Sequence, residues 1–245
     1  KITESLNERG ISCPILLRVT DYLAFRIKQI NESFFKAIKE VGYKGYYKGV
    51  FPVKVNQQAQ VIDRIVDFGK EFDFGLEVGS KPELLIALAH DLSSESTIIC
   101  NGIKDKEFIN LAILSLKIGF KTILVLESPR ELDLIIKVSQ ELNVKPLLGI
   151  RIKLTNKVSG NWSQSSGDRS AFGMSVEQVM KVITKLKVNN YLDCLVLQHS
   201  HLGSQIPDII EIRKATQEAC RFYSEMCKEG APLEYLDLGG GLGVD

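Results

Sequence analysis

The chain has 245 residues, with 31 Lys and Arg against 30 Asp and Glu, a net charge of +1 and 44% hydrophobic residues. This balance suits one large α/β domain with a substantial core; it excludes a disordered chain and argues against a nucleic-acid binder dominated by phosphate contacts. No apolar run approaches the ~20 residues needed to span a bilayer, the opening "KITESLNERG" is too polar for a signal peptide, and five cysteines without a Cys-x-x-Cys spacing fit reduced thiols in a cytoplasmic protein.

In chain order, residues 13–19 ("CPILLRV") are a strand candidate. Residues 21–41 place apolar side chains at 23, 27, 30, 34, 35 and 38, the spacing of one helix face, with Asp21 as N-cap and Gly42 as stop. A regular series follows. Strands are expected at 47–55, 73–78, 96–101, 121–126, 146–154, 193–202 and 235–240. Helices are expected at 58–69, 80–91, 105–118, 129–142, 175–188 and 207–229. Runs such as "TILVLE" and "CLVLQH" are almost continuously apolar, as strands covered on both faces are, and Cys100 and Cys194 fall inside such runs as packing residues. Strand–helix alternation predicts a parallel sheet, either doubly wound or a (β/α)8 barrel.

Seven strands after the first long helix are one short of a closed barrel. Chemistry-bearing residues nevertheless end several of them: Lys54 the first, Glu77 the second, "NG" the third, Arg151 the fifth, "HSHLGSQ" the sixth and "GGGLG" the seventh. A barrel draws its site from many strand ends, a doubly wound sheet from one switch point, so the spread favours an incomplete barrel. The connection 155–174 is rich in Gly, Ser, Asn and Asp and longer than structureless loops usually are; it reads either as part of the active face or as an ordinary surface loop.

Lys54 is the first candidate. In "VFPVKVNQ" it shares a strand face with residues 50, 52 and 56. If that face is the barrel interior, desolvation makes it a neutral amine able to form an imine with an aldehyde; otherwise it snorkels to water. "LDLGGGLG" lets backbone N–H groups approach an anion where barrels often bind phosphate, or makes a tight turn; it is not a dinucleotide fingerprint. His199 and His201 stand two apart on one strand face. Three histidines in the whole chain are few for a metal site, and a ring-stacking role for one of them is the alternative. Ser80 and Glu83 look like a capping box, which leaves Glu77 as the carboxylate for the lysine, and Arg151, inside "LLGIRIKL", needs an anionic partner. An amine, a histidine, a phosphate cradle, a carboxylate and an arginine together suit pyridoxal 5′-phosphate.

"VFPVKVNQ", "GLEVGSKPELL", "ICNGIKD", "SGNWSQSSGDRSAFG", "HLGSQI" and "LDLGGGLGVD" resemble bacterial biosynthetic arginine decarboxylases, pyridoxal-phosphate enzymes of the alanine-racemase-like barrel class, over nearly the whole chain. The resemblance implies that Lys54 carries the cofactor imine, His201 stacks on the pyridine ring, Ser204 and Gly239, Gly240 and Gly241 hold the phosphate, and Glu77 and Arg151 line the pocket. It implies substrate contacts from Asp237, Leu242, Gly243 and Asp245. The reaction would convert L-arginine to agmatine and CO2 on a polyamine route in a dimer-based homo-oligomer, with Mg2+ as a further associated ion for which no ligand set is evident. Two positions depart from the family pattern: Ala171 replaces a lysine, and Ser200 a phenylalanine. Family members also continue past Asp245 with strand eight and a β-rich domain, with which residues 1–20 would pair; residues 21–245 would form the cofactor-binding barrel. Such a piece alone would be inactive. Another basic amino-acid decarboxylase of the same class, a non-catalytic partner-binding relative and a metal-dependent hydrolase are the competing expectations.

Overall fold

The computed structural model describes residues 1–154 and 172–243. After a short helix α1 (Ile2–Glu8) come α2 (Asp21–Val41), β1 (Val50–Pro52), α3 (Ala59–Gly69), β2 (Gly75–Val78), α4 (Lys81–Leu88), β3 (Thr97–Cys100), α5 (Lys106–Lys117), β4 (Lys121–Leu126), α6 (Pro129–Leu142), β5 (Leu147–Arg151), α7 (Val176–Val188), β6 (Leu195–His201), α8 (Ile209–Lys228) and β7 (Tyr235–Gly239). All neighbouring strands are parallel, in sequence order β1 to β7. This is the (β/α) barrel order rather than a doubly wound one, which would carry a switch in strand order.

The sheet is curled. Across a flat sheet β1 and β6 would lie five spacings of ~4.8 Å, about 24 Å, apart. Instead Val50 of β1 packs against the same hydrophobic cluster that contains Val196 and Leu197 of β6. Tyr235 of β7 packs against that cluster as well. Among the described residues β1 and β7 are the sheet's edges.

Alternation along the strands sorts side chains into two layers. Leu76, Val78, Ile98, Cys100, Leu124, Leu126, Leu148 and Ile150 point outward into the main core with Phe108, Ile109, Leu132 and Ile135 of the helices. Ile99, Ile123, Val125 and Leu197 form a separate inner cluster that fills the lower part of the curl. Burial pushes the Cys100 and Cys194 thiols up to about 12 and about 11, consistent with packing roles. Gly75 is required for strand contact: a Cβ there would collide with the Thr97 carbonyl oxygen of β3. Gly75→Ala is therefore expected to destabilise the fold by about 2–3 kcal/mol, measurable as a lower denaturant midpoint at unchanged slope.

The expected strand at 13–19 is absent: no strand pairs with it among the described residues, and Leu16 and Leu17 are exposed. Nor does the first sheet strand run to residue 55. Pro52 supplies no N–H to a ladder, and the chain turns at Val53–Val55 into a single 3₁₀ turn. Thr20, not Asp21, is the N-cap of α2, and Asp21 instead places its charge in the positive first turn; Gly42 ends the helix in the left-handed conformation, as expected.

Candidate active site

Polar side chains crowd the C-terminal rim of the curl. Lys54 leaves the sheet in the 3₁₀ turn, where Val53 is fully buried and anchors the backbone. Of the two readings of Lys54, the one in which it reaches water holds. Because the turn interrupts the pleat, the Lys54 side chain projects from the rim and is 59% exposed, with Nζ 3.6 Å from Glu77 Oε2. Glu77 is buried at the end of β2 and its other oxygen accepts from Asn101 Nδ2 at 3.2 Å. Asn101 is itself buried, and its Oδ1 has no partner among the described residues.

The expected capping box forms only in half. Ser80 Oγ accepts from the Glu83 N–H at 3.4 Å, but the Glu83 carboxylate accepts from Gly79 N at 2.8 Å and from Gln57 Nε2 at 3.2 Å. Glu83 thus ties the segment after Lys54 to the turn after β2.

Arg151 does have its anion. Its Nη1 donates to Glu127 Oε1 at 2.8 Å, and its guanidinium lies 5.3 Å from the Phe172 ring centre. Glu127, which ends the run "TILVLE", is a site residue that the sequence reading passed over. It also accepts from Gly102 N at 3.0 Å and Gly173 N at 3.1 Å. Burial raises its carboxyl pKa, but the Arg151 charge and hydrogen bond, the Gly102 N–H and the Lys104 charge outweigh it, so the net shift is downward. Behind it, the wholly buried Lys104 ammonium donates to the carbonyls of Gly102 (2.6 Å) and Val125 (2.5 Å) and pairs with Glu131 at 3.4 Å. The same Glu131 accepts from Glu127 N at 2.7 Å and Lys104 N at 3.1 Å.

On β6, His199 and His201 face inward, while Ser200 points outward and lies within reach of Gln198, which donates to Ala219 O of α8. The departure at Ser200 therefore sits behind the wall. His199 is buried and its Nδ1 lies 2.7 Å from Asp237 Oδ2 across the β6–β7 pair. His201, at the rim, has its pKa lowered to about 4 by burial first and then by the charges of Arg151, His199 and Lys54, so it is neutral at pH 7. The remaining histidine, His90, lies past α4 and bonds Ile86 O and Asp63. Among the described residues no three His, Cys, Asp or Glu side chains come together as a metal site.

The loops after β6 and β7 are stitched together: Gly241 N donates to Gly203 O (3.0 Å), Ile206 N to Gly241 O (3.0 Å) and Gly243 N to Ile206 O (2.9 Å). Ser204 Oγ faces Gly241, 3.9 Å from where a Cβ would stand, and Leu242, exposed, bridges Ile206. Asp245, Ala171 and the connection from 155 to 171 lie outside the described residues.

The family model "Pyridoxal-dependent decarboxylase, pyridoxal binding domain" matches residues 27–245. The chain belongs to this family. It is 50% identical over its full length to the biosynthetic arginine decarboxylase of Prochlorococcus marinus (strain MIT 9301), of which it covers 38%. It also superposes on the biosynthetic arginine decarboxylase of Campylobacter jejuni with a TM-score of 0.90 at 36% identity, covering 100% of this chain and 40% of that one. A diaminopimelate decarboxylase from Helicobacter pylori, crystallised with L-lysine, shares the fold at 22% identity and a TM-score of 0.76, covering 98% of this chain and 57% of that one. The chain thus spans somewhat over a third of the length of its arginine decarboxylase relatives. The architecture is that of the alanine-racemase-like barrel, with seven parallel strands among the described residues.

Proposed function

We propose that the protein carrying this chain is a carboxy-lyase that converts L-arginine to agmatine and CO2 with pyridoxal 5′-phosphate, in polyamine biosynthesis. The observation that carries the reading is the Lys54 amine held 3.6 Å from Glu77 at the C-terminal rim of the sheet, the same rim at which His201 ends β6. The 50% identity to a protein named biosynthetic arginine decarboxylase supports the choice of substrate.

The rim residues fit the cofactor chemically. A primary amine stands next to a carboxylate, an uncharged imidazole offers a flat face, and a hydroxyl faces a glycine turn. The buried Asn101 Oδ1 is an acceptor with no donor among the described residues. When bound, the cofactor supplies an aldehyde carbon for the Lys54 amine and a ring that takes up the electrons released when CO2 leaves Cα. The chain's own contributions are distinct. Glu77 holds the Lys54 amine at the rim, and Asn101 fixes the Glu77 carboxylate. His201 would cover one face of the ring and exclude water, the Ser204 hydroxyl with the Gly240–Gly241 turn would receive the phosphate, and Arg151, held by Glu127, would line the pocket.

His201→Ala is expected to weaken cofactor binding roughly 2- to 10-fold, with His201→Phe restoring most of it, because a stacked ring contributes through its face; equilibrium dialysis reads both. The function itself is tested by incubating the full protein and cofactor with L-arginine, L-lysine and L-ornithine in turn. Agmatine and CO2 from L-arginine are expected; release of CO2 from L-lysine instead would replace the substrate, and none from any of the three would reject the reading. Five free cysteines fit a cytoplasmic setting. Exposed Ile11, Leu16, Leu17 and Val19 fit the docking of residues 1–20 on a second domain within a homo-oligomer.

A further inference from the structure

The three glycines of the β7 turn are glycines for three different reasons. At Gly240, φ is +124° and a Cβ would strike the Gly203 carbonyl, so the backbone itself demands glycine. At Gly241 a Cβ would meet Gln205 N at 3.3 Å, tighter than most real Cβ contacts, and the Ser204 hydroxyl at an ordinary 3.9 Å, so the Ser204–Gln205 loop would have to give slightly. At Gly239 the obstacle is a side chain: a Cβ would lie 2.6 Å from Cε1 of His199, nearer than real Cβ contacts come. The ring that blocks it has little freedom to move. His199 is 4% exposed, it stands in register with Asp237 on one side and Arg151 on the other, and Asp237 Oδ2 accepts from its Nδ1 at 2.7 Å.

We infer that His199, fixed by Asp237, is a positioning residue: its ring is the ledge on which Gly239 rests, and it sets the height at which Gly240, Gly241 and Ser204 meet the cofactor phosphate. Gly239 is then a packing position beneath the phosphate turn, not a phosphate ligand, and Asp237 acts on His199 and not on substrate. The hydrogen bonds from Leu202 N to Gly239 O (2.8 Å) and Gly241 N to Gly203 O carry any lift at position 239 directly to the loop that bears Ser204. This inference rests on the cofactor reading proposed above.

The test is a double-mutant cycle on cofactor affinity in the full protein, read by equilibrium dialysis with pyridoxal 5′-phosphate and, separately, with unphosphorylated pyridoxal. Gly239→Ala is expected to weaken pyridoxal 5′-phosphate binding roughly ten- to hundred-fold while changing pyridoxal binding little. Adding His199→Ala removes the obstructing ring, so on that background Gly239→Ala should cost less than about 3-fold. Should His199→Ala fail to give a cooperative thermal transition, His199→Asn, which keeps a polar partner for Asp237 and lacks Cε1, takes its place. If Gly239→Ala costs the same on both backgrounds, or weakens both ligands equally, the ledge is rejected. If the unsubstituted protein binds neither ligand, it is the cofactor reading that fails.

Discussion

Lys54→Ala should abolish decarboxylation, by at least ~10³-fold, and with it the visible absorbance that bound cofactor gives the protein, while leaving stability within about 1 kcal/mol of the parent. The two halves of this expectation have separate physical causes. Stability is spared because the side chain is 59% exposed and its ion pair with Glu77 spans 3.6 Å; an exposed pair at that distance contributes little. Activity is lost because the amine beside Glu77 goes with the side chain, and Lys104 cannot stand in for it: its ammonium is fully buried and committed to two carbonyls and Glu131. Lys54→Arg should fail equally, since a guanidinium keeps its proton and is not a nucleophile at neutral pH. A Lys54→Ala protein that retains the cofactor absorbance or forms agmatine would remove the basis of the proposed chemistry.

How much of this was legible beforehand differs from element to element. Residues 21–41, 121–126 and 129–142 fold within the limits their patterns predict, because each carries its own complete signal. The first ends at a glycine able to adopt a left-handed conformation, the second is a strand apolar on both faces, and the third has Pro129 at its start and Asn143 left-handed at its end. The parallel order and the gathering of Lys54, Glu77, Arg151 and His201 at one rim followed from the same periodicity. What failed depended on partners distant in sequence. Residues 13–19 have strand-like composition, but composition cannot show whether an adjacent ladder exists to pair with. Pro52 could have warned that the strand before Lys54 stops early, and with it the alternation on which an interior Lys54 would have depended. Glu127 and Arg151 are 24 positions apart, and no spacing rule links them. "NGIKDKEF" gives no hint that Lys104 rather than Lys106 is buried, since a lysine is read as solvated unless its cage is known. A charged residue directly ending an apolar strand was the available cue for Glu127, as it was for Glu77.

Glu127→Ala is expected to cost about 3–5 kcal/mol of folding stability, the scale for removing one member of a largely buried ion pair. The substitution leaves the Arg151 guanidinium without its carboxylate and takes the acceptor from the N–H groups of Gly102 and Gly173. It also severs the link between the ends of β3, β4 and β5, so the site should loosen before the protein unfolds: cofactor affinity should fall in conditions where the variant is still folded. The pH dependence has a definite sign. The folded state holds the Glu127 carboxyl below its ordinary value of 4.5, so the folded state favours the ionised form more than the unfolded chain does. The stabilisation is complete above that ordinary value and is lost as pH falls from it toward the lower folded value. Denaturation midpoints of parent and Glu127→Ala, measured from neutral pH down through this window, should therefore converge on the acid side. A constant difference across the range would mean that packing, not charge, is what Glu127 supplies.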